Sequence, residues 1–290
     1  MLSPYVRRRR LGDELRALRT AAGLTLERLA SQVDPSRNQL SRYELGQIAP
    51  DLDDIMQILD VLRVEGAEWN TLMTIAREAA ERGWWESNAR SMGERQALFA
   101  NLEAGAATIR EYQQTFIPGL LQTPEFAAAR VETTPWPLSA GLTVEGVLKG
   151  RAGRQRMLRR QGGPRYEALI DEYAIRRRSA PPPILKGQLL HLADLADPGA
   201  QDAPISLRVL PIDADVGGYL PLCSFSLYTY PDPKDPVVVG IDAAVNDLVL
   251  TDEERAARYA VTFDSLREAA LSVSDSRDFL VRTADALSPS

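Results

Sequence analysis

Arg37, Asn38, Ser41 and Arg42 fall within six consecutive positions, and these residue types suit the reading of base edges. An arginine can make two hydrogen bonds to guanine and an asparagine two to adenine in the major groove of DNA. That chemistry requires the four side chains to share a surface. At about 100° per residue they lie on the helical face opposite Leu40 and Tyr43, which are three apart. Ser36 is a good N-cap and Gly46 a good C-terminal stop. The spacing therefore predicts a short helix between them, apolar behind and Arg/Asn/Ser/Arg in front.

Such a helix must be held by neighbours. Leu26, Leu29, Ala30 and Val33 share one helical face, and Asp34-Pro35 breaks the chain after them. Leu11, Leu15 and Leu18 mark a preceding helix that stops at Gly23, and Ile55, Leu59 and Leu62 mark a following one capped by Asp51. Two short helices across a tight turn, with the second presented to the major groove, are the geometry of a helix-turn-helix. The run LRALRTAAGLTLERLASQVDPSRNQLSRYELGQIAPDLDDIMQILDVL, within residues 8 to 64, resembles the Xre/Cro/phage-repressor type of that domain. Residue 34 departs from the pattern, being Asp where those relatives usually carry Gly. Asp tolerates left-handed backbone better than most residues, so a strained turn is expected. The resemblance implies an ion pair between Arg19 and Glu44, tying the first helix to the end of the recognition helix. Thr25, at a helix start, and Gln47, just past the recognition helix, are the expected phosphate contacts, since helix termini and backbone N–H groups suit phosphates. Thr25 serves equally well as a plain N-cap.

A chain of 290 residues predicts two domains. The first is an all-α, lambda-repressor-like helix-turn-helix domain over residues 1–64. A linker helix follows over 65–84 (Trp69, Leu72, Met73 and Ala76 inward), then an α+β domain over 85–290. The pair Trp84-Trp85 is expected to pack between domains. The net charge of −6 is uneven: residues 1–50 hold nine Arg against five acids, about +4, leaving about −10 elsewhere. Phosphate attraction follows the local charge. Arg7–Arg10 reads either as an arm against the DNA backbone or minor groove or as a solvated terminus. No apolar run is long enough to span a bilayer, and the start lacks the apolar core of a signal peptide. The single Cys223 allows no intrachain disulfide and is expected to be a buried, inert thiol, which suits a cytoplasmic protein away from membranes.

In the second domain the pattern predicts helices over 90–112, 124–131, 142–160, 184–196, 252–271 and 275–287, with a loop at 133–141. Strands are predicted at 165–175, 205–211, 223–231 and 236–242, a small sheet of about four. The basic end of the helix 142–160 (Lys149, Arg151, Arg154, Arg156, Arg159, Arg160) reads as a solvated face or as a dock for an acidic partner or ligand. PGLLQTPEFA (118–127), Arg151 to Gln155, IDEYAIRRR (170–178), KGQLLHLADLA (186–196), SLRVLP (206–211) and FSLYTYP…PVVVGID (225–242) resemble the domain that follows the helix-turn-helix in actinobacterial WhiJ-like regulators, also described as antitoxin-like. Gly240 departs from that pattern, which commonly has an acid there. The resemblance implies a role in development or secondary metabolism, often beside a small partner protein encoded nearby.

Catalysis is not expected. His191 is the only histidine and has no ligand cluster for zinc. There is no G-x-S-x-G, G-x-G-x-x-G or Walker A run, and Asp171-Glu172 would point to opposite faces of a strand. No metal or cofactor is implied. The favoured expectation is a homodimeric transcriptional regulator on an inverted-repeat operator in double-stranded DNA, its second domain sensing a ligand or partner. The competing expectation is an antitoxin-like protein that mainly holds a small partner protein and regulates its own operon.

Overall fold

The computed structural model describes residues 2–133, 141–196, 205–218, 221–241 and 247–287. The expected loop at 133–141 lies almost wholly outside them. The first unit is helical: α1 (Pro4–Ala21), α2 (Leu26–Ala30), α3 (Arg37–Glu44), α4 (Leu52–Val61) and α5 (Gly66–Ala80). Leu11, Leu15, Leu29, Leu40, Tyr43, Ile55 and Leu59 form its core, and Leu72, Met73, Ile75 and Ala76 of α5 complete it. The helix expected as a linker is thus the fifth member of the bundle, packed on α1 and α4.

α1 starts earlier than the sequence suggested. Ser3 caps it by accepting the Val6 N–H, and Pro4 occupies the first turn, where its missing N–H is harmless. Arg7–Arg10 are therefore helical, neither an arm nor a loose terminus. The expected strain at Asp34 is also absent, because the left-handed non-glycine among the described residues is Arg63. The turn is instead clasped from α4. The Asp34 N–H donates to Gln57 Oε1 at 3.0 Å and Gln57 Nε2 donates to Asp34 Oδ2 at 2.9 Å.

The second unit begins with α6 (Trp84–Met92) and α7 (Glu94–Glu103), then β1 (Thr108–Gln113) and a single 3-10 turn (Gly119–Leu121). It continues through α8 (Pro124–Glu132), α9 (Val144–Arg159), β2 (Arg165–Asp171), α10 (Glu172–Arg176), α11 (Pro182–Leu195) and β3 (Ile205–Leu210). β4 (Phe225–Thr229), β5 (Val238–Ile241), β6 (Leu248–Leu250), α12 (Glu253–Ala269) and α13 (Val273–Asp285) close it. The sheet has six strands in the order β3-β2-β1-β4-β5-β6. β1, β2 and β3 run parallel, and β4, β5 and β6 join antiparallel. This is the expected α+β class with a larger sheet than the four strands expected.

β1 was hidden in a run that reads as helix because Ile109 and Tyr112 are three apart. In a strand that spacing sends them to opposite faces, and each enters a different core. Ile109 joins Tyr166, Ala168, Ile170, Leu207, Val209 and Tyr228 under α7, α8, α11 and α13. Tyr112 joins Leu169, Phe225, Leu227 and Val239 against α12. The strand expected over 165–175 ends at Asp171, whose carboxylate accepts the Tyr173 N–H and starts α10. Trp84 and Trp85 do not pack between domains. They sit with Met92, Ala97, Ala100 and Met157 inside the second unit.

Candidate nucleic-acid interface

α3 is built by local chemistry at both ends. Ser36 accepts the Gln39 N–H at 3.3 Å. At the other end Gly46 N–H donates to Tyr43 O and Gln47 N–H to Arg42 O, both at 2.9 Å, the double closure of a Schellman cap. Gly46 holds φ at +61°, and a Cβ there would also lie 2.9 Å from the Arg9 backbone N. Only glycine meets both demands. A second close approach sets the helix against α1: a Cβ on Gly12 would lie 2.5 Å from Glu44 O.

The back of α3 is anchored to α4. Leu40 and Tyr43 are buried. The Tyr43 hydroxyl donates to Asp54 Oδ2 at 2.6 Å, and Gln39 Nε2 donates to the same oxygen at 2.9 Å. Burial, then Asp54, pushes the Tyr43 phenol above its ordinary range. Gln39 and Asp54 are positioning residues that periodicity alone did not single out. Their signal was the four-residue spacing of Gln39 and Tyr43.

The front of α3 is open. Arg37, Asn38 and Arg42 are exposed and Ser41 is half-buried, all on one side. Arg37 pairs with Glu27 of α2, and that hydrogen bond holds the Glu27 carboxyl below its usual range. Both partners are largely solvated, so the pair is weak. Gln47 is exposed beside this face. Thr25 is exposed too, and its hydroxyl accepts the Arg28 N–H at 3.2 Å as the N-cap of α2. Arg28, three positions on in α2, is exposed as well and was not among the expected contacts. Arg19 and Glu44 meet as a fork. Nε donates to Oε1 at 2.6 Å and Nη2 to Oε2 at 2.9 Å, while Nη1 donates to Leu24 O at 2.7 Å. The pair joins α1 to the last residue of α3, with the Glu44 side chain only 5 % exposed.

A helix-turn-helix domain family matches residues 10–72, which contain α2, α3, α4 and the Arg19–Glu44 fork. A family described as a domain of unknown function, DUF5753, matches residues 96–282, more than half of the chain. The chain belongs to the DUF5753 family. No curated protein and no solved structure matches it.

In this DUF5753 protein α1 bridges the two matched regions. Leu11 and Leu15 enter the helical core, whereas Val6 enters the core of the sheet domain. Ser3 Oγ and Tyr5 N–H both donate to Asn101 Oδ1 of α7, at 3.0 and 3.1 Å. Arg7 lies 3.0 Å from Glu78 of α5 and 3.0 Å from Asp235 in the β4–β5 loop. Arg10 lies 2.5 Å from Asp232 and 3.2 Å from Asp235. Arg8 donates to Ala79 O and Arg9 to Leu45 O. All four arginines of the run thus brace the fold, and the exposed arginines of this unit include Arg16, 3.7 Å from Glu44 at the end of α3, together with Arg28, Arg37 and Arg42. Among the described residues no group of three or more His, Cys, Asp or Glu is placed to hold a metal ion. No described helix is long and apolar enough to cross a membrane.

Proposed function

We propose that this protein is a sequence-specific DNA-binding transcriptional regulator. Its second domain acts as a sensor of a small molecule or partner protein and not as an enzyme. The observation that carries the reading is the open Arg37/Asn38/Arg42 face of α3, anchored behind by Tyr43 and Asp54. In the major groove this face offers donors for guanine and adenine, while Gln47, Thr25 and Arg28 flank it as phosphate contacts. One such module reads few base pairs, so the working form is a homodimer on an inverted repeat, with half-sites about 10 bp or a multiple apart. The brace between α1 and the β4–β5 loop gives the second domain a mechanical hold on the first. The likeness to WhiJ-like regulators favours the same role.

Selection of bound duplexes from a random pool with the full chain tests this. The expected product is an inverted repeat, bound by a species of twice the 32.0 kDa chain mass in light scattering. Recovery of unrelated sequences would contradict sequence-specific binding, and a tightly bound monomer would contradict the dimer.

A further inference from the structure

The basic end of α9 does not form a uniformly solvated face. Gly146 and Gly150 let α9 lie directly on α6: a Cβ at Gly146 would sit 2.2 Å from Ser91 O, and one at Gly150 2.7 Å from Met92 Cβ. That close packing turns Arg151 and Arg154 inward. Arg154 is fully accounted for. Its guanidinium grips Glu103 from Nε and Nη2, and although burial works against its charge, Glu103 more than restores it.

Arg151 has no such partner. Its Nη1 donates to the neutral Gln122 amide oxygen. Its Nε is shut off from solvent without a hydrogen-bond partner, and among the described residues no carboxylate stands within ion-pair distance. Burial, then Arg154 and Arg130, pushes its pKa down to about 10. A partly buried guanidinium whose Nε is sealed from solvent without a partner, and which has no carboxylate of its own, is costly to the empty protein, and a bound anion would offset that cost.

The space beside it is a cavity of about 360 Å³, within the range of small-molecule sites. Its floor is the sheet, where alternation puts Glu111 of β1 and Ser226 and Tyr228 of β4 on one face. Phe99 and Phe116 supply ring surfaces on the walls. Glu111 accepts from Tyr166 Oη at 2.6 Å and from Gln113 Nε2 at 2.8 Å, which fixes a negative floor opposite the positive wall.

We propose that this cavity binds a small organic anion, a carboxylate or phosphate carried on a ring, with Arg151 as its counter-charge. The inference rests on the sensing role proposed above and names the chemistry sensed. Both α7, which supplies Phe99, and β4, which supplies Tyr228, lead from the cavity to the α1 brace. α7 does so through Asn101, and β4 through the loop that follows it, which carries Asp232 and Asp235.

Calorimetry on the full chain without DNA tests the site independently of operator binding. The probes are phenyl phosphate, benzoate and benzyl alcohol. At least one anion should bind, with the stronger of the two assigning the head group, and benzyl alcohol should not. Arg151→Met should weaken anion binding by about tenfold or more, the effect of losing a charged hydrogen bond. It should also leave the melting temperature of the free protein unchanged or raised. Arg156→Met, at an exposed position on the same helix, should bind as wild type, and Arg151→Gln replaces the methionine variant if that fails to fold. Equal binding by wild type and the Arg151 variants, benzyl alcohol binding as tightly as the anions, or no binding of either anion at millimolar concentration would each overturn the assignment.

Discussion

Removing the Asp235 carboxylate should loosen the sheet domain from α1. The side chain is 1 % exposed and accepts from Arg7 Nη1 at 3.0 Å and Arg10 Nη1 at 3.2 Å. Breaking one side of a buried ion pair costs about 3–5 kcal/mol when nothing else compensates. Two features reduce that here. Glu78 still faces Arg7, and Asp232 still faces Arg10. Burial also pushes the Asp235 carboxyl above its ordinary range despite the pull of Arg7 and Arg10, so dehydration offsets part of the attraction. Asp235→Ala should then cost roughly 2 kcal/mol, which for a chain of 290 residues lowers the melting temperature by roughly 3 °C. Because the pair is buried, the loss should persist at high salt. Circular dichroism melts of Asp235→Ala, Arg10→Met and the double variant give the coupling, expected at about 1–2 kcal/mol. Asp213→Ala, at an exposed position, is the control. Additive losses, or an Asp235→Ala melt matching the control, would refute the brace.

Arg19→Met should lower stability by about 1–3 kcal/mol in thermal melts, since three charged hydrogen bonds vanish and nearly buried Glu44 keeps only the exposed Arg16 at 3.7 Å; an unchanged melt would contradict the fork. A fragment ending at Val64 should be largely unfolded by circular dichroism, while one ending at Glu81 should fold, because α5 contributes Leu72, Met73, Ile75 and Ala76 to the core; a well-folded shorter fragment would disprove that role. His191, the sole histidine, should titrate below its usual value of about 6.5 in proton NMR, because burial and then Arg159 disfavour its cation. With the folded pKa depressed, the unfolded chain binds the proton more readily, so this group's share of stability is complete above about pH 6.5 and is lost as the pH falls through and below that value. A His191 titration at or above 6.5 would contradict its burial.

The helix-turn-helix was legible because its determinants are local. The Ser36 cap, the Gly46 stop and the faces of α3 are all set within about ten residues. Strands β2 to β5 were legible for the same reason, as alternating or β-rich runs bounded by turn residues. β1 was not, because Ile109 and Tyr112 satisfy a helical spacing while serving opposite faces of the sheet. The role of Arg7–Arg10 was equally hidden, since Asp232 and Asp235 lie more than 220 positions away in sequence and no periodicity links them. In α9 a run of charges resembles a solvated face. What separated Arg151 from Arg156 was the glycine-lined contact with α6, which decides which arginines turn inward.

Base reading by α3 is tested most directly by one titration. Fluorescence anisotropy would compare wild type and Asn38→Ala on the selected duplex and on a scrambled duplex of equal length and salt. The predicted result is a loss of roughly 1–3 kcal/mol on the selected duplex with little change on the scrambled one, matched by Arg37→Ala and Arg42→Ala and smaller for Ser41→Ala. Equal losses on both duplexes would mean that these side chains touch only phosphates, and no loss on either would remove α3 from the interface.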